Sequence, residues 1–297
     1  MSFTAFCLAA IVCWFTQSLA ATRSLAASVP MQRPGLTLIK NIPYAGATAD
    51  ARRSFDLYLP VKSNVKPVLL IFVHGGFWLL PDEEYRIGPS LAENLVKHGV
   101  VVALVRYRLA PSHRHPAQAQ DVASAVARLA KDADKYGFDA KRIFLSGHSA
   151  GGHLASLIAL DKSYLAERKL TGNTVAGVIS FSGLYDLAPT WNISGDQKVA
   201  TEKTFGNDPA VLKRASPVHY ARADAPRFLI INAAADFRGF ALDARRFADA
   251  LRFAGVKEVH EHIFEGADHF SIVKLDAKKN AVRRTMLGFM GGKGLPE

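Results

Sequence analysis

From residue 36 onward the chain carries two kinds of apolar pattern in turn. Residues 53–59 set Phe55, Leu57 and Leu59 against Ser54, Asp56 and Tyr58, the two-residue period of a strand with one covered face. With residues 36–42 they predict an antiparallel start. Unbroken apolar runs come next at 68–73, 100–105, 143–145, 175–181 and 228–233, each closed by turn or charged residues. A strand that is apolar on both faces belongs in a sheet covered on both sides, the usual setting of parallel strands. Between these runs the period lengthens. Residues 116–136 place Val122, Ala125, Val126 and Leu129 at helical spacing, and 240–254 do the same with Leu242, Phe247, Ala250 and Leu251. Strands alternating with helices predict an α/β fold, with a mostly parallel central sheet and helices on both faces.

The alternation is interrupted once. Residues 186–225 hold Pro189, Trp191, Phe205, Gly206, Pro209 and Pro217 with little periodicity, which predicts a short excursion over the sheet, a lid candidate. Asn192-Ile193-Ser194 within it is a glycosylation sequon, meaningful only in a host that glycosylates. No linker, repeat or low-complexity block is seen, so residues 21–297 read as a single domain.

Residues 1–20 carry no charge, and their apolar core, 5–15, is short for a bilayer span. Ser18-Leu19-Ala20 supplies small residues at the spacing of a cleavage site, so this segment reads as a signal peptide and the protein as secreted or periplasmic, with no stable membrane insertion after cleavage. The absence of Lys or Arg before the apolar core leaves an uncleaved anchor as the alternative. Cys7 and Cys13 both fall in this segment, so the mature chain would have neither disulfide nor thiol nucleophile. The net charge is +11 over 297 residues, which raises the question of an anionic partner. Its basic pairs are scattered, however, and not interleaved with aromatics, so no nucleic-acid partner is expected.

The chemistry concentrates at residues 144–154, FLSGHSAGGHL. An apolar run enters Gly147-His148-Ser149-Ala150-Gly151 and leaves as a helix. In a nucleophile elbow the serine sits on a strained turn, and its neighbours two residues either side must lack bulk so that strand and helix can approach. A phosphate loop would need a Gly-Lys-Ser/Thr ending or Gly-x-Gly-x-x-Gly spacing, and neither is present. A serine nucleophile needs a base, and ten histidines compete. Where this elbow occurs, the partners come in the order serine, acid, histidine at strand ends. His269, just after the apolar run 259–264, fits best. His148 and His153 are expected to pack or hydrogen-bond locally, and His260 and His262 to be surface or satisfied polar residues. Asp236, after the run 228–233, is the expected acid. Asp186 is its rival, and Asp268 is too near His269 in sequence to aim at its ring. His74-Gly75-Gly76-Phe77-Trp78 succeeds another buried run and leaves amides open, so Gly75, Gly76 and Ala150 are the candidate oxyanion donors.

With Tyr107-Arg108-Leu109-Ala110-Pro111 added, these motifs resemble the α/β-hydrolase superfamily, near the hormone-sensitive-lipase carboxylesterases and closer to the BD-FAE and kynurenine-formamidase-like esterases. Where the lipase pattern has an Asp-Pro-Leu-type acid motif, this chain reads Ala234-Ala235-Asp236-Phe237-Arg238, which favours the formamidase-like side. The resemblance implies the α/β-hydrolase fold and a serine carboxylic-ester hydrolase acting through an acyl-enzyme on small or short-chain acyl esters, such as acylated carbohydrates or aromatic esters. It implies no cofactor and no metal. Phe77, Trp78, Trp191 and Phe205 are candidates to line the substrate pocket. An arylformamidase is the alternative within the class. A non-catalytic binding or adhesion protein on the same fold is the alternative outside it.

Overall fold

The computed structural model describes residues 29–45, 50–61, 65–81, 87–188, 195–275 and 280–291. The expected signal segment, Trp191 and the sequon at Asn192 lie outside the described residues. Strands β1 (Pro30–Arg33), β2 (Leu36–Pro43) and β3 (Ser54–Pro60) open the sheet. After them come β4 (Leu69–Val73), helix α1 (Ile87–Val96) and β5 (Val101–Val105). Helices α2 (Ala117–Lys131) and α3 (Ala133–Tyr136) lead to β6 (Ile143–His148), then α4 (Ala150–Leu160), α5 (Lys162–Ala166) and β7 (Gly177–Phe181). Helices α6 (Gly195–Phe205) and α7 (Pro209–Ala215) precede β8 (Arg227–Ala235), and α8 (Phe240–Phe253), β9 (Val259–Asp268) and α9 (Ala281–Gly291) complete the strands and α-helices of the described residues.

The sheet order is β1-β2-β3-β5-β4-β6-β7-β8-β9. β1, β2, β3 and β5 pair antiparallel, and every pairing from β5 across to β9 is parallel. One core lies under α2, α4 and α8, where Ile71, Val73 and Leu145 meet Val122, Leu129, Leu157 and Phe247. The other face sends Leu70, Phe72 and Ile231 against Leu91, Leu95, Met286 and Phe289 of α1 and α9. Alternate residues of one strand thus feed opposite cores, which is why the central runs are apolar without a break.

Two expectations need correction. β3 is not half-buried, because Ser54, Asp56 and Tyr58 are as covered as Phe55 and Leu57. Asp56 tolerates burial because Arg106 grips it with two nitrogens at 3.1 and 2.9 Å and the Asn41 amide adds a third bond at 2.8 Å. The excursion at 186–225 is not irregular either, since it contains α6 and α7. The buried side of α6 is Gln197, Ala200, Thr201, Thr204 and Phe205, so its hidden face is mostly polar and leaves no apolar period to read.

Candidate active site

The parallel register fixes which residues meet. β6, β7, β8 and β9 are neighbours running the same way, so the residues just past their C-terminal ends gather at one edge of the sheet. Ala235 pairs with Asp268, so Asp236 and His269, the next residues, emerge side by side. His269 Nδ1 lies 2.7 Å from Asp236 Oδ1, and both side chains are almost fully buried.

Ser149 leaves β6 in a conformation that only local constraint sustains, with φ 55° and ψ −120°. The flanking glycines show why. A Cβ on Gly147 would overlap the Gly151 carbonyl, and one on Gly151 would overlap the carbonyls of Val73 and His74. Helix α4 begins at Ala150, so its first amides have no intrahelical partner and are open to an anion.

Asp236 has three close donors. Besides His269, the Ser182 hydroxyl donates to Oδ2 at 2.5 Å and the Phe237 amide to Oδ1 at 2.8 Å. Burial pushes the carboxyl up, but the bonds from His269, Ser182 and Phe237 outweigh it and hold the group below the usual aspartate value. An ionised acceptor at Nδ1 requires that nitrogen to carry the proton, which leaves Nε2 of His269 as a base.

His148 does more than pack locally. Its Nε2 lies 2.7 Å from the His269 carbonyl, 121 positions away in sequence, and its ring sits 4.6 Å from the His269 ring. Burial first, then the neighbouring His269, pushes His148 down to about 3, so it is neutral and Nε2–H donates to that carbonyl. The elbow residue before the serine therefore ties down the histidine loop. Among the described residues no hydrogen bond joins the Ser149 hydroxyl to His269. In sites of this kind that contact often tightens only around substrate.

The expected oxyanion loop is pressed against the serine. A Cβ on Gly75 would lie 2.9 Å from the His148 carbonyl and 3.3 Å from Ser149 Cβ. The Gly75 carbonyl accepts from His74 Nδ1 at 2.8 Å and from the Tyr107 hydroxyl at 3.2 Å. In a planar trans peptide the N–H points opposite to the C=O, so the Gly76 amide faces away from Tyr107. Gly76 also has φ 95°, a value that suits glycine.

Phe77, Trp78, Ser149, Ala150, Leu184, Gln197, Thr201 and Phe240 enclose a cavity of about 10 Å³. Phe205 is not on its wall. It stands behind Trp78, edge-on at 4.9 Å, and supports the tryptophan instead of lining the pocket. A cavity of about 400 Å³ backs the His74-Gly75 loop from the side of Tyr58, Phe72 and Arg106, and Ser149 is not among its walls. The carboxylate that meets His269 is that of Asp236, whereas the Asp186 carboxylate caps its own turn by accepting from the Ala188 amide at 3.1 Å. Asp268 likewise accepts from the Phe270 and Ser271 amides. His153 bonds at long range, with Nε2 2.7 Å from the Ala215 carbonyl. Ser182 and Phe240 carry no motif that singles them out in the sequence. The one signal there is that Ser182 stands just beyond the end of β7, while Phe240 opens helix α8.

The BD-FAE family profile matches residues 55–238. The chain belongs to the BD-FAE family. It is 31% identical to the esterase LipC of Mycobacterium tuberculosis over 74% of this chain and 57% of that protein. It is 29% identical to the kynurenine formamidase of Danio rerio, over 86% of this chain and 82% of that one. Its structure matches a truncated carbohydrate esterase from gut microbiota with TM-score 0.73 at 21% identity, covering 91% of this chain and 99% of that one. These neighbours share the α/β-hydrolase fold. The chain spans little more than half the length of LipC, while it spans most of the fish formamidase.

Proposed function

We propose that this BD-FAE family member hydrolyses carboxylic esters of small molecules through an acyl-enzyme on Ser149. The observation that carries the reading is the pairing of Ala235 with Asp268, which sets Asp236 2.7 Å from His269 at the strand edge where the Ser149 elbow stands. In the first half-reaction Ser149 attacks the ester carbonyl while His269 Nε2 takes the hydroxyl proton. The carbonyl oxygen becomes an oxyanion, held by the amides of Ala150 and Gly76 and, more peripherally, Gly75. Asp236 stabilises the imidazolium, which then gives its proton to the departing alkoxide, and the alcohol leaves. Water repeats the sequence: His269 takes its proton, hydroxide attacks the acyl carbonyl, and the acid leaves with the Ser149 proton restored.

The esterase named LipC and the carbohydrate esterase structure support ester substrates. The longer coverage of the Danio rerio formamidase favours a second reading, an arylformamidase, in which the same steps release an amine in place of an alcohol. Residues 1–20 support export to the outside or the periplasm, which favours external esters over an intracellular catabolic amide.

Purified protein is expected to turn over p-nitrophenyl acetate, with Ser149→Ala reduced to background. A Ser149→Ala protein as active as wild type, or no turnover of any ester or formamide, sinks the reading in favour of a binding role. Methyl ferulate, acetylated xylan and N-formylkynurenine then separate the ester classes from the formamide.

A further inference from the structure

The alcohol and the acyl group of an ester must leave the reacting carbon in different directions. The leaving oxygen has to lie next to His269. On that side Phe237 and Phe270, both packed on the buried imidazole, are 38% and 41% exposed, so the rings that cover His269 border solvent. The other direction, over Ala150, leads into the cavity between Phe77, Trp78 and helix α6. That cavity, about 10 Å³, holds one water at most.

Its wall is held from behind. The Trp78 indole N–H donates to His153 Nδ1 at 3.3 Å, and the far nitrogen of that histidine donates to the Ala215 carbonyl at 2.7 Å. Phe205 meets the indole edge-on at 4.9 Å. The Trp78 carbonyl accepts from the Ala110 amide at 3.0 Å. Retracting the indole would strip a buried donor and a buried acceptor of their partners, which disfavours any widening of the cavity on that side.

The roof is polar. Thr201 of α6 is buried and lines the cavity, and its hydroxyl has no hydrogen-bond partner among the described residues. An acyl group that stops at the mouth of the cavity leaves that hydroxyl its one water, whereas a longer alkyl chain would press methylenes onto it and displace the water without replacing its hydrogen bond. Selection against long chains thus comes from bulk at Trp78 and from desolvation at Thr201, a repulsive element as well as an attractive one.

Building on the ester-hydrolase reading above, we propose that Trp78 and Thr201 are specificity-determining residues that confine the acyl site to formyl and acetyl groups. The substrates are then formyl or acetyl esters, with the alcohol accommodated on the solvent-bordered side beside Phe237 and Phe270.

The test is kcat/KM for p-nitrophenyl acetate, butyrate and octanoate with wild type, Trp78→Leu and Thr201→Val. Wild type should fall at least about tenfold from acetate to butyrate and further to octanoate, since one methylene in a tight pocket is worth about 10-fold or more. Trp78→Leu should raise butyrate relative to acetate. If it does not fold, Thr201→Val on the rim of the cavity should still raise the butyrate-to-acetate ratio several-fold. A wild-type profile that is flat or rises with chain length overturns the acyl-site proposal and leaves the hydrolase reading standing. Unchanged ratios in both variants remove these two residues from it. If no ester is turned over in a Ser149-dependent way, the hydrolase reading itself has failed and the proposal falls with it.

Discussion

Asp121 and Asp236 are both buried carboxylates with several donors, yet they sit in different chemical company. Asp121 on α2 accepts from Arg53 Nε at 3.1 Å, from the Arg108 amide at 3.0 Å, and from the Arg108 guanidinium at 2.8 and 2.9 Å. Its charge is matched by fixed cations that cannot be neutralised near neutral pH. The three groups join α2 to the start of β3 and to the segment after β5. Asp236 instead accepts from a hydroxyl, an amide and an imidazole. Only the last has a second nitrogen, left for the serine side of the site. A carboxylate surrounded by guanidinium groups stabilises a fold. One that holds an imidazole by a single nitrogen is free to act on what the other nitrogen does.

The sharpest way to break this contrast is to remove the charge of each carboxylate separately. Asp236→Asn keeps the shape but takes away the acceptor that puts the proton on His269 Nδ1, so kcat is expected to fall by about 10⁴-fold, as for loss of the acid in a serine triad. Thermal unfolding should move little by comparison. An Asp236→Asn protein with near wild-type turnover would remove Asp236 from the mechanism and return the role to a carboxylate elsewhere.

Asp121→Ala should do the reverse. It leaves Arg53 and Arg108 half-buried without their shared counter-ion, and breaking a buried pair from one side costs about 3–5 kcal/mol. Denaturant unfolding should show that loss. At a temperature where the variant is still folded, kcat/KM for p-nitrophenyl acetate should stay within a few-fold of wild type. A large loss of kcat with unchanged stability would contradict the division of labour drawn between the two aspartates.

Much of this is legible in the chain because the informative residues obey simple periods. The runs at 68–73, 143–145 and 228–233 become β4, β6 and β8, since a strand feeding two cores must be apolar throughout. Gly147 and Gly151 stand out because nothing larger fits against the carbonyls beside them. Helix α6 is hidden because its covered side is made largely of glutamine and threonines, two of which line the cavity beside Ser149, so the feature that escapes the apolar pattern is one that walls this cavity. Asp56 and Tyr58 mislead for a related reason, as polar positions in β3 look solvent-facing until Arg106, distant in sequence, arrives to pair with one of them. Ser182 and the reach of His148 to His269 depend on contacts 54 and 121 residues apart, which no local pattern encodes.

A third carboxylate extends the comparison to a case in which backbone amides are the close donors and the nearest cation, Arg246, acts through its charge. Asp243, on the buried side of α8, accepts from the Tyr185 amide at 2.7 Å. Burial pushes its carboxyl up and the Asp186 charge adds to that, while the Tyr185 and Asp186 amides and the Arg246 charge offset part of it, so the group is raised to about 7, against 3.8 in the ordinary case. The folded state thus holds a proton that the unfolded chain has released between about pH 4 and pH 7. Stability tied to that proton is present below about 4 and is lost as pH rises through about 7. Asp243→Asn keeps an oxygen to accept from the Tyr185 amide and has no charge to bury at any pH. Its melting temperature relative to wild type should therefore rise between about pH 5 and pH 8, by a few degrees for a domain of this size. The same difference at both pH values would show that the folded protein does not keep Asp243 protonated, and that the backbone amides together with the Arg246 charge are enough to hold an ionised carboxylate there.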